Sequence, residues 1–134
     1  MLDNNLPMEY IPYMEWQVLL DADFTVWLLE QEPDVQTTIL AHAGLLKSFG
    51  PTLGRPQVDT VKGSRLVNLK ELRVQHLGAP WRVLFVFDPK RRAILLVGGN
   101  KRGDARWYKK AIPQAEQRYA RHLEQMEQRD GRNT

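Results

Sequence analysis

Three stretches in close succession decide the fold: Arg65-Leu-Val-Asn-Leu-Lys-Glu-Leu-Arg-Val74, Trp81-Arg-Val-Leu-Phe-Val-Phe87 and Ala93-Ile-Leu-Leu-Val97. Each is a short apolar or alternating run bounded by turn residues, which reads as a β-strand. In the first, the alternation slips near Asn68, where a bulge is expected. The connectors are short. His76-Leu-Gly-Ala-Pro80 is a turn, Asp88-Pro-Lys-Arg-Arg92 is a hairpin connection, and Gly98-Gly99 ends the third strand. Connections of this length join antiparallel neighbours, so the three strands form a meander.

Upstream, the period changes from 2 to 3.6. Asp21 or Asp23 can cap a helix whose face is Phe24, Trp27 and Leu28. Pro33 suits the first turn of a second helix, with Glu32 as its cap and Val35, Ile39, Leu40, Ala43 and Leu46 as its apolar face. Gly50-Pro51 stops it, so residues 24–49 read as a helical hairpin. Trp16, Val18 and Leu20 alternate as a short strand before it, and residues 1–14, with Pro7 and Pro12, read as an irregular arm. Downstream, Pro113 opens a last helix along Ile112, Ala115, Tyr119, Leu123 and Met126, and residues 128–134 read as a frayed tail. The fold class is α+β: one twisted antiparallel sheet with an N-terminal helical hairpin and a C-terminal helix, all helices on one face.

The 134 residues suffice for a single domain with its own core. With no cysteine, disulfides, Cys-ligated zinc and a Cys nucleophile are excluded. No run reaches membrane-span length and the N-terminus has no basic and apolar signal regions, so a cytoplasmic chain without a membrane partner is expected. The net charge of +3 hides an asymmetry. Residues 1–53 hold eight acids and one base, Lys47, whereas residues 54–110 hold fourteen Lys or Arg and four acids. A basic segment built into strands points to a polyanionic partner.

Period 2 puts Glu71 and Arg73 on one strand face, while Lys70 points to the other. Arg82 is the polar residue in the next strand, and Lys101, Arg102, Arg106 and Tyr108 follow the third. If the helices occupy one face, the free face gathers Arg73, Arg82, Lys101 and Arg102 around Glu71 and Tyr108. Clustered cations repel one another until an anion arrives, and the guanidinium fork suits phosphate. RNA carries its own nucleophile, the 2′-hydroxyl, so a base, cations and an acid are enough to cleave it without metal or cofactor. Glu71 and Tyr108 are the base candidates, the latter if surrounding cations lower its phenol pKa. Arg82 suits the transition-state charge and Arg102 the leaving-group side. Arg73, Lys70, Lys101 and Arg106 are RNA-contact candidates. Glu71 has a structural alternative as neutraliser of the cluster. His42, His76 and His122 show no metal-ligand spacing and read as helix or turn residues.

The ordered series Leu53-Gly-Arg-Pro56, Val61-Lys-Gly-Ser-Arg65, Asn68-Leu-Lys-Glu-Leu-Arg73, Arg82-Val-Leu-Phe-Val-Phe-Asp88, Leu95-Leu-Val-Gly-Gly-Asn-Lys101, Arg106-Trp-Tyr108 and Ile112-Pro113 resembles the phage Gp49-like group of HigB toxins, a branch of the RelE superfamily. The similarity runs over roughly residues 16–125. The resemblance implies a RelE-like fold and a metal-independent endoribonuclease that cuts messenger RNA on the ribosome. It also implies a cognate helix-turn-helix antitoxin (HigA-like), through which alone operator DNA would be contacted. It places the family's working positions on Arg82, on Lys101 and Arg102, on Tyr108, and on Leu72 and Arg73. Glu71 departs from the lysine of RelE at that position, which leaves the base open. Two other readings stand beside this one: a non-catalytic RNA- or protein-binding module, and a ParE-like gyrase inhibitor.

Overall fold

The computed structural model describes residues 15–133. The irregular arm expected over 1–14 lies outside them. The elements are β1 (Gln17–Leu20), α1 (Ala22–Leu29), α2 (Pro33–Phe49), β2 (Val58–Thr60), β3 (Lys70–His76), β4 (Ala79–Phe87), β5 (Arg92–Asn100) and α3 (Trp107–Asn133), with a 3₁₀ turn at Gly50–Thr52. They form an α+β fold on one five-stranded sheet of order β1-β5-β4-β3-β2. The β3-β4-β5 meander is antiparallel, with Arg73 opposite Arg82 and Arg82 opposite Gly99. The edge strand β1 departs from the antiparallel expectation: it runs parallel to β5, because the helical hairpin returns the chain into β2 antiparallel to β1 and the strands β2 to β5 then alternate in direction.

Asp21 caps α1, its carboxylate accepting from the Asp23 and Phe24 amides at 2.9 and 3.2 Å. Glu32 precedes α2 without a side-chain capping bond; Pro33 at the first turn serves instead. The hairpin buries Phe24, Leu28, Val35, Ile39, Ala43 and Leu46 against Leu72, Val74, Val83, Phe85, Ala93 and Leu95. Each fully buried Val, Leu, Ile or Phe among them contributes roughly 1.5–3 kcal/mol over exposure. Leu40, read as part of this face, is 46% exposed.

The second face of the sheet, expected to be open, is covered: α3 packs on it, burying Trp107, Ala111, Ala115 and Tyr119 against Leu69, Leu84, Val86, Ile94 and Leu96. The sheet is therefore covered on both sides, which explains why β4 and β5 read as nearly continuous apolar runs. The helix also opens earlier than Pro113 and continues past residue 128 to Asn133. Asp104 starts it, its carboxylate accepting from the Arg106 amide at 3.0 Å and its carbonyl from the Trp107 amide at 3.2 Å. Pro113 sits inside the helix.

Gly98 and Gly99 do not end β5 but lie within it. They make room for two indoles. A Cβ on Gly98 would meet Trp27 of α1 at 2.3 Å, and one on Gly99 would meet Trp107 of α3 at 2.1 Å. Residues 65–69 leave the expected strand because α3 pulls them away: Glu116 accepts from the Ser64 hydroxyl at 2.8 Å and from the Arg65 amide at 2.7 Å. The irregularity expected near Asn68 falls instead between Leu84 and Phe85 of β4.

Candidate active site

α3 covers the second face only in part. Beyond Trp107 and Leu84, the face continues through Glu71 and Arg73 of β3 and Arg82 of β4. The first turn of α3 lays Tyr108 beside them, and its hydroxyl donates to Glu71 Oε1. Arg73 and Arg82 stand directly opposite each other, an arrangement that repels unless an anion is shared. Glu71 is that anion. Arg73 Nε donates to its Oε2 at 3.0 Å, and Arg82 Nε lies 3.7 Å from its Oε1. Asp59, on β2 and opposite Glu71, adds a second: it accepts from Arg73 at 3.1 Å and from Arg55 at 3.1 Å. Charges thus alternate across the sheet from Arg55 through Asp59, Arg73 and Glu71 to Arg82.

The cluster changes the chemistry of Tyr108. Its phenol is pushed up to about 12, first by burial and then by the Glu71 carboxylate that accepts its hydrogen bond. The expected lowering by surrounding cations does not occur, since Arg82 acts against the larger effects of burial and Glu71. Tyr108 is therefore a hydrogen-bond donor at neutral pH and not a base. Asp59 is held below the usual carboxylate range, first by the Thr60 amide and then, against burial, by Arg55 and Arg73.

Two depressions flank Arg73 and Glu71. An open groove of about 510 Å³ is lined by His42, Gln57, Arg73, Gln75 and Arg82, between Pro56 and Pro80. A cleft of about 310 Å³ is lined by Thr60, Val61, Lys62, Glu71 and Tyr108. Arg82 donates to its neighbour's carbonyl, Trp81 O, at 3.0 Å, while its Nε has no hydrogen-bond partner. A phosphate in the groove would meet guanidinium groups already fixed in place.

Of the eight site residues read from the sequence, the structure brings Glu71, Arg73, Arg82 and Tyr108 together, with Lys101 Nζ 5.7 Å from the centre of the Tyr108 ring. Arg102 stands apart at the tip of the β3–β4 hairpin, donating to the Gly78 carbonyl. Arg106 is exposed at the start of α3. Lys70 alternates onto the other face of β3, opposite Thr60 and Phe85. Asp59 and Gln57 carry no site signal in the sequence, and His42 reads there only as a helix residue. Asp59 lies in a three-residue strand too short to show a period, and His42 reaches the groove from a helix remote in sequence.

The sheet, hairpin and C-terminal helix define a RelE-like fold. A structure of a double-arginine mutant of E. coli toxin RelE in the free state superposes with a TM-score of 0.56, covering 78% of this chain and 98% of that one. At 8% identity the likeness is one of fold. The chain belongs to the phage derived protein Gp49-like family, whose profile matches residues 26–120. Two relatives from Mycobacterium tuberculosis carry the names of candidate toxins. HigB3 is 47% identical over 102 residues, taking in 75% of this chain and 88% of HigB3. HigB2 is 38% identical over 133 residues, taking in 90% of this chain and 66% of HigB2. Among the described residues, no helix is long and apolar enough to cross a membrane.

Proposed function

We propose that this chain is the toxin of a toxin–antitoxin pair and acts in the cytoplasm as an endoribonuclease on messenger RNA bound to the ribosome. The observation that carries the reading is the Arg73–Glu71–Arg82 array with Tyr108 on a RelE-like sheet, its two arginines lining an open groove. Membership of a family whose relatives are named as toxins supports it. The reaction is attack of the 2′-hydroxyl on the adjacent phosphorus. Arg73 and Arg82 hold the phosphodiester and stabilise the negative charge that grows on it. Glu71 and Tyr108 keep the two guanidinium groups in place. The partner in the silent state is a helix-turn-helix antitoxin of the HigA type, through which operator DNA is reached.

The test is induced expression of the chain without its antitoxin, with mapping of RNA 5′ ends and Arg82→Ala as control. The reading expects growth arrest and new cuts inside translated messages, both absent in the variant, which still binds the antitoxin. Arrest with DNA damage and intact messages would replace it with gyrase inhibition. No arrest would leave a binding module.

A further inference from the structure

The reaction above lacks a proton acceptor. Tyr108 is held as a phenol, and both oxygens of Glu71 are engaged, Oε1 by Tyr108 and Arg82 and Oε2 by Arg73. A 2′-hydroxyl needs a group that takes a proton near neutral pH, and imidazole is the side chain suited to that.

The surroundings separate the chain's three histidines. His76 uses both ring nitrogens, Nε2 toward Asp34 at 2.9 Å and Nδ1 toward the Thr38 hydroxyl at 3.0 Å. His122 Nε2 lies 3.0 Å from buried Asp88, and its ring stacks on Tyr119. His42 differs from both. Its Nδ1 lies 2.8 Å from the Thr38 carbonyl oxygen, which can only accept, so Nδ1 carries the hydrogen. In the neutral ring the lone pair is then on Nε2. The half-buried ring lines the same groove that Arg73 and Arg82 reach from the sheet. The charged groups on that groove are these two arginines; the His76–Asp34 pair adjoins through Thr38.

We propose that His42 is the general base of the reaction, accepting through Nε2 the 2′-hydroxyl proton of an RNA phosphodiester held by Arg73 and Arg82; this rests on the nuclease reading. The 2′-O–H bond breaks and its proton passes to Nε2. The 2′-oxygen bonds to phosphorus, and the P–O5′ bond breaks with its electron pair on the 5′-oxygen. That oxygen takes a proton from water in the open groove. The products are a 2′,3′-cyclic phosphate and a 5′-hydroxyl, and the imidazolium returns its proton to solvent. The substrate class is RNA with a free 2′-hydroxyl; a 2′-O-methyl strand binds without being cut.

The test is single-turnover cleavage of a translated message in a cell-free extract by the wild type, His42→Asn and His42→Ala, each checked by thermal melting. Asn retains an N–H that can face the Thr38 carbonyl. The cleavage rate of His42→Asn should fall by about 100- to 1000-fold. Binding of 2′-O-methyl RNA should stay within about threefold of the wild type, since only the proton acceptor is lost. The wild-type rate should change with pH in a way that the rate of His42→Asn does not, and free imidazole should restore part of the rate of His42→Ala. If His42→Asn does not fold, the imidazole rescue decides. Cleavage by a folded variant at the wild-type rate and with its pH profile overturns the proposal and leaves the nuclease reading standing, as does a loss matched by weaker RNA binding or a failure of rescue. A wild type that cuts no RNA overturns both.

Discussion

Replacing Glu71 by Gln tests whether this carboxylate organises the site. The change keeps the shape and removes one negative charge from between Arg73 and Arg82. Arg82 and Glu71 are 13% and 7% exposed at their side chains, with Nε and Oε1 3.7 Å apart. At an effective dielectric of 20, that separation corresponds to a gross attraction of about 4 to 5 kcal/mol. Much of it offsets desolvation, but removing one partner leaves the other charge buried, at a cost of roughly 3–5 kcal/mol. Arg73 adds little, since its side chain is 35% exposed and keeps Asp59. We expect a loss near the lower end, about 3 kcal/mol, or roughly 10 °C in melting temperature for a chain of this length. Three readouts belong together. Denaturant unfolding gives the stability. Ring-carbon NMR of Tyr108 should show its phenol falling from about 12 while staying above the ordinary tyrosine value, because burial, the largest cause, persists. RNA binding should tighten at low salt, with the salt slope steepening by roughly 0.7 for one additional phosphate neutralised. A loss below about 1 kcal/mol together with weaker RNA binding would refute the reasoning and make Glu71 a group that meets the substrate.

Tyr108→Phe should flatten the alkaline limb of stability: the raised phenol pKa adds stability that is complete below pH 10 and lost as pH rises toward about 12, and pH-dependent melting of the two proteins reads the difference. Gly99→Ala places a Cβ 2.1 Å from Trp107 Nε1 inside a packed sheet, so urea denaturation should show a loss of about 3 kcal/mol, the upper end for overpacking. Asp88 has a fully buried carboxylate that burial pushes up but Arg92, His122 and the Lys90 and Arg92 amides together hold below its ordinary value. Its contribution is complete above the ordinary Asp range and lost as pH falls through the depressed value; Asp88→Asn should cost roughly 3 kcal/mol at pH 7 and weaken the acid-unfolding transition followed by circular dichroism.

The arrangement explains why a basic segment can fold with two arginines face to face. Glu71 and Asp59 sit between the cations and so neutralise them locally, while Arg73 and Arg82 also line the open groove. Local pairing and a net positive field are compatible because the first acts over a few ångströms and the second over a Debye length.

The edge strand β1, the three meander strands, the helical hairpin and the last helix were legible in the sequence because each rests on local pattern and local punctuation: the apolar run 81–87, the i, i+4 face of α2, Asp21 before α1. So was the charge asymmetry, which needs only counting. What the chain does at long range was not. The parallel pairing of β1 depends on which way the hairpin returns, and the second covered face depends on where α3 docks. Gly98 and Gly99 look like a strand end until the two indoles that fill their missing side chains are in place. Tyr108 reads as a base among cations until burial and Glu71 raise its phenol, and His42 reads as an ordinary helix residue until the fold sets it on the groove of Arg73 and Arg82. The sequence by itself determined most of the helical and strand segments, β2 and several boundaries excepted, and which residues carry charge. Only the tertiary structure decided which of those charges meet and which are buried, because proton affinity and electrostatic coupling are set by distance and solvent exclusion, and neither is a local property of the chain.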